Sequence, residues 1–468
     1  MVDWNLWSKR RDRGRLGTSA VALAVLLAFS ACKPPVSREE LSGWGMPEDF
    51  PGNTPALREL KLPAKVDRLD WLPRNLEVLD ASYTELKGTS GLPPSLKRLN
   101  LGYVKIRELE DLPRTLEVLD IAWTEVSRLD EKLPDSLRSL TLGGPRITSL
   151  ADLPPNLEIL VLNDTAVTNL YGMPSELRSL TLIGGSFEDL GSLPGNLTAL
   201  SLQTTRIYKP GGLPAVLTSL ELRGSEDLNI GSYPRFLVKF STDGKLTRQL
   251  RFLSHLERLE TASLSAEILS SLPPSLSSLK AVSVLPGVDF SVLPREVTEL
   301  ELPGCAASAV ERLPESVKRL NLTLCDLDRL PRLPDGLESL DLSGTLVRDL
   351  SGLPRGLKEL KLAWWSAKEL PALPGGLEVV SLAGSTGLES IRDLPETLIE
   401  LDLSNTGLSD LPALPRSLRK LNISGTRMRL QSLRDLPRGL EELILSSGKL
   451  LSMKGAPPTL RILSFHEV

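Results

Sequence analysis

A Leu-Pro pair recurs along the chain with a step of 20 residues, occasionally 21 or 22, and no other feature constrains the fold as strongly. The pairs start at Leu72-Pro73 and continue to Leu436-Pro437, with Ala456-Pro457 after them. One long step, from 233 to 272, measures 39 residues and divides in two if Phe252-Leu253 marks a repeat without its proline. About twenty copies of one short unit therefore fill the chain, and they must stack, because a single copy cannot bury its own leucines.

Each unit follows the pattern LPxxLxxLxLxxT, as in the stretch from Leu112 to Thr124. The LxL step alternates apolar and polar residues, which predicts a short strand. Proline cannot lie inside a helix or donate to a central sheet ladder, so it belongs to the return between strands. Twenty residues leave too little chain for a full helix, and we expect extended, polyproline-like or 3₁₀ returns and little α-helix.

The unit resembles a leucine-rich repeat, and is most similar to the short twenty-residue bacterial subclass found in secreted effectors of pathogens. The resemblance covers about residues 46 to 468 and implies a horseshoe-shaped leucine-rich-repeat solenoid with a parallel β-sheet on its concave face. One departure is consistent: the family usually has an inward asparagine where this chain mostly has threonine, at Thr84, Thr124, Thr165, Thr205, Thr345, Thr406 and Thr426. A hydroxyl makes fewer hydrogen bonds than an amide, so we expect a weaker inward ladder.

Residues 1–31 are predicted to be a lipoprotein signal peptide. A basic stretch from Lys9 to Arg15 precedes an apolar run over 16–29, which is too short to span a bilayer comfortably. Ser30-Ala31-Cys32 then resembles the bacterial lipobox, which implies a lipid anchor on Cys32. The alternative is a plain secretory signal that is cleaved near a cysteine.

The segments after the predicted signal peptide give the expected order of domains. Residues 32–55 form a tether, because they are rich in proline, glycine and acids. Residues 56–468 form the solenoid, with irregular repeats around 226–290. The resemblance to bacterial lipoproteins implies anchoring in the cell envelope, and Lys33 after the cysteine favours the outer membrane.

Composition argues against several functions. The chain has 55 basic and 59 acidic side chains, a net charge of −4, and no basic stripe, so we expect no nucleic-acid partner. Its two histidines, His255 and His466, supply neither a metal cluster nor a Ser-His-Asp set. We therefore expect no metal, no cofactor and no enzymatic activity.

Two cysteines occupy the inward position of adjacent repeats, at Cys305 and Cys325. Neighbouring strands would bring their Cα atoms to about 5 Å, within the range that a disulfide accepts. An exported protein meets oxidising conditions. We predict two inward sulfur atoms in disulfide range, and the sequence leaves open whether they are bonded.

The candidate ligand-binding residues lie in the first full repeats. Tyr83, Tyr103 and Trp123 each directly precede the inward position, so they should stack as an exposed ridge. Polar residues point out of the concave sheet in the same repeats, at Asp80, Asn100 and Asp120. Tyrosine and tryptophan are enriched at binding hot spots. The alternatives are ridge packing against an N-terminal cap and ordinary solvation of the polar face.

These features predict a non-enzymatic envelope lipoprotein that recognises a protein or glycan through its concave surface. The alternative is a secreted effector or adhesin-like factor that acts on another cell, which would require Cys32 to be unlipidated. The last predicted strand, 463–465, would leave an open sheet edge. Such an edge can pair with another chain, so end-to-end self-association is a further hypothesis.

Overall fold

The computed structural model describes residues 58–466 apart from positions 63, 130–132, 210, 225–232, 244–247, 447–448, 451 and 453. The predicted signal peptide, Cys32 and the tether lie outside the described residues, and so does part of the irregular stretch around 226–290. No helix in the described part is both long and apolar enough to cross a membrane.

Each repeat contributes one strand to a parallel sheet of 21 strands, and each strand pairs with that of the next repeat. The sheet strands are β1 (Glu59–Lys61), β2 (Val78–Asp80), β3 (Arg98–Asn100), β4 (Val118–Ala122), β5 (Ser139–Gly143), β6 (Ile159–Asn163), β7 (Ser179–Ile183), β9 (Ala199–Gln203), β11 (Ser219–Arg223), β12 (Lys239–Thr242), β13 (Arg258–Leu264), β14 (Ser278–Val284), β15 (Glu299–Glu301), β16 (Arg319–Asn321), β17 (Ser339–Asp341), β18 (Glu359–Lys361), β20 (Val379–Ser381), β22 (Glu400–Asp402), β23 (Lys420–Asn422), β24 (Glu442–Ser446) and β25 (Ile462–His466). The expected parallel-sheet solenoid is confirmed.

The register of the sheet places leucine on leucine along the stack. Leu79 of β2 pairs with Leu99 of β3, and the same match joins Leu320 of β16 to Leu340 of β17. These leucines are almost fully buried in one continuous core. Because the core has no break along the described chain, each repeat is stabilised by its two neighbours.

The Leu-Pro pair starts the turn that leads into each strand. The N–H of Leu76 donates to the carbonyl of Pro73 at 3.2 Å, a bond that closes a four-residue turn. Proline fixes its own φ and keeps the preceding leucine extended, which suits this change of direction. Where the proline is missing, Leu256 donates to Leu253 at 3.0 Å, and the same turn forms.

A column of polar side chains links each turn to the repeat before it. Ser95 Oγ lies 2.6 Å from the Arg74 carbonyl oxygen and 2.8 Å from that of Leu76. Hydroxyls at the same place bridge other repeats, and we call this set the turn column: Ser95, Thr115, Ser136, Ser275, Thr397, Ser417 and Thr459. The sequence analysis missed this column.

Most inward threonines bond within their own repeat. Thr124 Oγ1 donates to the Ile121 carbonyl at 2.9 Å, and Thr345 makes the equivalent bond to Leu342 at 2.7 Å. Thr205 differs, because its hydroxyl reaches the Leu182 carbonyl of the preceding repeat at 3.0 Å. Most of the hydrogen bonds that side-chain hydroxyls make between described repeats are therefore made by the turn column, because most inward threonines bond within their own repeat.

The returns contain little regular structure, as predicted. They include one single-turn helix, α1 (Ala266–Leu269), and 3₁₀ turns at Arg248–Phe252, Phe290–Val292 and Ala307–Val310. Two short parallel pairs also form there: β8 (Ser186–Asp189) with β10 (Arg206–Lys209), and β19 (Glu369–Leu370) with β21 (Ser390–Ile391). Because the helices in the described returns are only single turns, the regular structure consists mainly of the stacked strands.

Strand length varies along the stack. β15 to β18 have three residues each, β4 to β7 have five, and β13 and β14 have seven. The seven-residue strands extend to the inward position, where the sequence has Leu264 and Val284 in place of a hydroxyl. Leu264 is fully buried and Val284 half-buried. An aliphatic residue at that position cannot close the usual turn with a side-chain hydrogen bond, and the strand continues.

Candidate ligand-binding surface

The three aromatic residues predicted to form a ridge adopt an unusual backbone conformation. The φ angles of Tyr83, Tyr103 and Trp123 are 61°, 64° and 59°. This left-handed region costs an L-residue about 1–2 kcal/mol. Several other repeats have glycine here, such as Gly144 and Gly344. The same conformation recurs in other repeats at Asp164, Thr204, Leu324 and Asn405, so the strain belongs to this position of the repeat. What marks the three repeats as a functional candidate is that bulky aromatic residues keep the strained conformation in succession.

The three rings lie in a row on the rim of the concave face, and we call them the aromatic ridge. The centroids of Tyr83 and Tyr103 are 4.5 Å apart with planes 8° from parallel, and those of Tyr103 and Trp123 are 6.1 Å apart at 9°. Their exposed fractions are 63%, 48% and 37%. The rings therefore stack on one another along the solenoid while their outer edges stay in solvent.

The predicted polar residues of these repeats make local hydrogen bonds. Asp120 Oδ1 accepts from the N–H of Ala122 at 2.9 Å, and Asn100 Oδ1 accepts from Gly102 at 2.9 Å. The same bond recurs in other repeats, at Asp80, Asn321, Asp341, Asp402 and Asn422. Aspartate and asparagine are thus favoured in this column because they hold the chain where it leaves the strand.

We call Asp80, Asn100 and Asp120 the polar column. Small residues lie between the polar column and the aromatic ridge. Ser82, Gly102 and Ala122 each separate a polar residue from a ridge ring in the sequence, and Gly102 and Ala122 are buried. A Cβ added to Gly102 would meet Asn100 Oδ1 at 3.2 Å and Asp120 Oδ1 at 3.7 Å. The surface beside the ridge is therefore a shallow strip with carboxylates on one side and rings on the other.

Asp120 is the most perturbed titratable group of this surface. Burial raises its pKa to about 6, and the nearby Asp80 carboxylate acts in the same direction, while the bond from Ala122 opposes them. Partial desolvation also raises the pKa of Tyr103, with contributions from Tyr83 and Asp120. Asp120 therefore interacts electrostatically with the ridge residue Tyr103, and the charge of this surface changes near pH 6 because Asp120 titrates there.

The concave face of the central repeats carries charges that neutralise one another. Arg223 lies 2.7 Å from both Glu221 and Glu260, and Lys280 lies 2.9 Å from Glu260 and 3.7 Å from Glu301. These partly exposed pairs are worth little individually, but the network holds the side chains in place. The carboxylates here are engaged inside the sheet. In the ridge repeats Asp80 lies 3.6 Å from Lys61, but Asp120 forms no ion pair with a described residue, so the ridge region is the better candidate surface.

Comparison with known proteins places the fold. No protein-family model matches the chain, and a search of curated proteins gives no significant match. Among solved structures, CroV588, a circular leucine-rich-repeat protein, is 18% identical, with a TM-score of 0.41, 90% of this chain covered and 80% of that one. The strand pairing and the stacked leucines of the chain give it a leucine-rich-repeat solenoid fold.

Two further solved structures are similar at the same level. YopM from Yersinia enterocolitica WA-314 is 23% identical over 87% of this chain and 91% of its own, with a TM-score of 0.31. TLR13 in its complex with ssRNA13 is 18% identical over 84% of this chain and 74% of its own, with a TM-score of 0.49. At these identities the similarity concerns the fold alone.

Outside the ridge, one tryptophan occupies the same position of its repeat. Trp364 has a φ of 60° and is 56% exposed. Its neighbours in the stack are Gly344 and Gly384, and a Cβ added to Gly384 would lie 2.6 Å from Trp364 Cδ1. The indole therefore lies in the space that the glycines leave free of a Cβ, and no ring of the described residues stacks on it.

The two inward cysteines lie side by side in the core. The structure joins Cys305 and Cys325 by a disulfide, with Cα atoms 4.6 Å apart. The N–H of Cys305 also lies 3.2 Å from Cys325 Sγ, as the N–H of Trp365 lies 2.9 Å from Ser385 Oγ. Cysteine thus fills a place that a hydroxyl takes elsewhere. Within the described ranges, no three His, Cys, Asp or Glu side chains lie close enough to hold a metal ion.

Proposed function

We propose that this protein is a non-enzymatic receptor of the bacterial envelope that binds a protein ligand through the aromatic ridge and the polar strip beside it. One observation carries the proposal: three stacked aromatic residues keep a costly backbone conformation in consecutive repeats and still expose their edges. Exposed tyrosine and tryptophan contribute much of the binding energy at protein interfaces.

Ring orientation favours a protein over a glycan. A sugar ring stacks on the flat face of an aromatic side chain, but Tyr83 and Tyr103 turn their faces toward each other, with centroids 4.5 Å apart. Where the rings stack, edges and hydroxyl groups remain for a ligand, and these suit backbone carbonyls, carboxylates and apolar side chains of a protein partner. Asp80 and Asp120 beside the ridge favour a partner with basic or hydrogen-bond-donating groups.

The envelope location rests on the sequence before the described residues. A basic stretch, an apolar run over 16–29 and Ser30-Ala31-Cys32 support export and lipid attachment at Cys32, followed by the tether. Several acyl chains hold a protein firmly on a membrane, whereas one holds it marginally. A tethered solenoid would present its concave face to partners at the membrane surface.

The ligand-binding part is tested with a matched pair of triple variants. Tyr83→Ala, Tyr103→Ala and Trp123→Ala together should lower the affinity for partners cross-linked from envelope fractions by about 30-fold or more, as expected for a hot spot. The control removes two exposed tyrosines and one exposed tryptophan elsewhere: Tyr171, Tyr208 and Trp364. Equal loss in both variants, or undiminished capture by the ridge variant, would show that the ridge is not the binding site.

The anchoring part is tested separately by labelling with palmitate in a bacterial host. Wild-type protein should take up label and fractionate with membranes, and Cys32→Ala should lose both properties. Unlabelled wild-type protein released to the medium would refute the anchor and point to a factor that acts on other cells.

A further inference from the structure

A second surface differs from the rest of the solenoid at the turn column. Each strand is preceded by a core Leu or Val, and the residue before that one occupies the turn-column position. In most described repeats between Asn75 and Thr459 this residue is polar or glycine. Three consecutive repeats have Val216, Phe236 and His255 instead. Neither Val216 nor Phe236 can form the hydroxyl bridge that Ser95 makes to the preceding turn. Here the chain loses an interaction between repeats and gains exposed apolar surface.

Phe236 and His255 line an open cavity of about 700 Å³. Its walls include Tyr233, Phe236, Phe252 and His255. The rings of Phe236 and His255 have centroids 5.9 Å apart, and Phe236 and Phe252 remain 57% and 69% exposed. Aromatic side chains exposed side by side in this way make the cavity a candidate interaction site.

The charge around the cavity is positive, although the chain as a whole is negative. Residues 233–258 contain six Lys or Arg and two acidic residues, whereas the complete chain has a net charge of −4. Arg235 lines the cavity, and the Arg251 guanidinium lies 4.9 Å from the centroid of the Phe252 ring. Neither arginine forms an ion pair with any residue that the structure describes. Both remain able to bind a carboxylate.

The cavity and the aromatic ridge lie at opposite ends of the sheet strands, the ridge at the carboxyl ends and the cavity at the amino ends. The ridge residues follow their strands, as Trp123 follows β4, whereas Phe236 and His255 precede β12 and β13. The two surfaces are also separated along the stack by several repeats. A ligand at one would leave the other accessible.

We propose that Tyr233, Phe236, Phe252 and His255 form a second binding site, which takes an acidic segment of a partner protein that carries an aromatic or long aliphatic side chain. The apolar side chain enters between the rings, and the flanking carboxylates pair with Arg235 and Arg251. The Arg251 guanidinium lies over the Phe252 ring, and that ring lines the cavity. Peptide recognition by an apolar pocket with basic flanks follows known modes.

The size of the site favours a peptide over nucleic acid. The cavity spans two repeats, about 10 Å of the stack at the usual strand spacing. Binding to a single strand of nucleic acid requires a basic groove that follows the backbone for several nucleotides.

The test uses the full chain and three fluorescent probes: a short peptide with tryptophan between glutamates and aspartates, the same peptide with lysine for each acid, and an oligothymidylate. Fluorescence anisotropy should show the acidic peptide binding about tenfold more tightly than the lysine peptide. Phe236→Ser with Phe252→Ser should abolish that difference. Arg235→Glu with Arg251→Glu, which keeps the rings, should reverse the preference.

Three outcomes would overturn the proposal: acidic and basic peptides binding equally, neither variant changing the affinity, or the oligothymidylate binding more tightly than both peptides. The ridge variant Tyr83→Ala, Tyr103→Ala, Trp123→Ala should bind the acidic peptide as wild type does. This control separates the second site from the proposed receptor surface, because either can fail without the other. Circular dichroism of each variant verifies that the solenoid remains folded.

Discussion

The aromatic ridge and Trp364 occupy the same position of their repeats, with nearly the same φ angle, but their surroundings differ. Each ridge ring has another ring beside it, with centroids 4.5 and 6.1 Å apart. Trp364 lies close to Gly344 and Gly384, because a Cβ added to these glycines would come within 3.4 and 2.6 Å of the indole. An aromatic residue here can therefore be held in either of two ways, by a stacked ring or by the space beside a glycine. Only the first builds a continuous surface across repeats.

Charge separates the two regions as well. Beneath the ridge, Asp120 has its pKa raised to about 6 by burial. In the Trp364 repeat the same column holds Lys361, which lies 3.0 Å from Glu359. Burial would lower the pKa of Lys361, but the hydrogen bond and charge of Glu359 outweigh burial and raise it. The ridge region thus responds to pH near 6, whereas the Trp364 region stays paired.

The largest expected effect concerns the space beside Trp364. Gly384→Ala adds a Cβ at 2.6 Å from Trp364 Cδ1 at a residue with φ of 71°. Backbone strain and overpacking together should lower the free energy of unfolding by about 2–4 kcal/mol. Gly144→Ala, beside the ridge, is the matched control, because its Cβ would lie 3.7 Å from Trp123 and only strain remains.

Urea unfolding of both variants measures the difference. Trp364→Gly added to Gly384→Ala should recover the overpacking part and leave the variant about as stable as Gly144→Ala. Equal destabilisation by the two alanines would mean that Trp364 is not held by the glycine space, and the distinction between the regions would fail.

The second effect concerns pH. The folded state raises the pKa of Asp120, so between about pH 4 and 6 the native protein binds more protons than the unfolded chain. The contribution of this group to stability is full below about pH 4 and is lost as pH rises through about 6. Asp120→Asn keeps the oxygen that accepts from Ala122 and should stabilise the protein by about 2 kcal/mol at pH 7.

At pH 4 the same substitution should change stability little. The measurement is urea unfolding of wild type and Asp120→Asn across this pH range. Parallel stability profiles for the two proteins would contradict the assignment of the pH response to Asp120.

The smallest expected effect concerns the middle ring of the ridge. Tyr103→Gly relieves about 1 kcal/mol of backbone strain and loses about 1 kcal/mol from two stacking contacts. The thermal midpoint should therefore change little, while ligand capture weakens. A large loss of stability would favour packing as the role of the ridge and would remove its distinction from Trp364.

Much of the fold follows from the sequence because the repeat period acts at every strand. One Leu-Pro step fixes both the turn and the register, so Tyr83, Tyr103 and Trp123 could be aligned before any coordinates were known. The stacking follows from the same alignment. The left-handed conformation was harder to foresee, since it shows only as a preference for glycine in other repeats.

Other features were not predicted from the sequence, because one residue type has two physical roles. Asp80 and Asp120 were selected as exposed polar residues, but each also accepts a bond from the backbone two residues on. The turn column carried a readable signal, serine or threonine before the core leucine, as at Ser95 and Thr115. The elevated pKa of Asp120 depends on burial and on Asp80 two strands away, and no local pattern reports that.

The turn column also gives the solenoid a direction. Thr115 reaches back to the carbonyls of Pro94 and Leu96, and Thr459 reaches back to Arg438 and Leu440. Where the column has a hydroxyl, a repeat thus completes the hydrogen bonding of the one before it. We expect chains truncated at successive Leu-Pro turns to keep slow amide exchange in every repeat except the last, and uniformly fast exchange would contradict this. We also expect the stack to form in the order in which the chain leaves the ribosome, because each hydroxyl of the column reaches back to a turn that has already been synthesised.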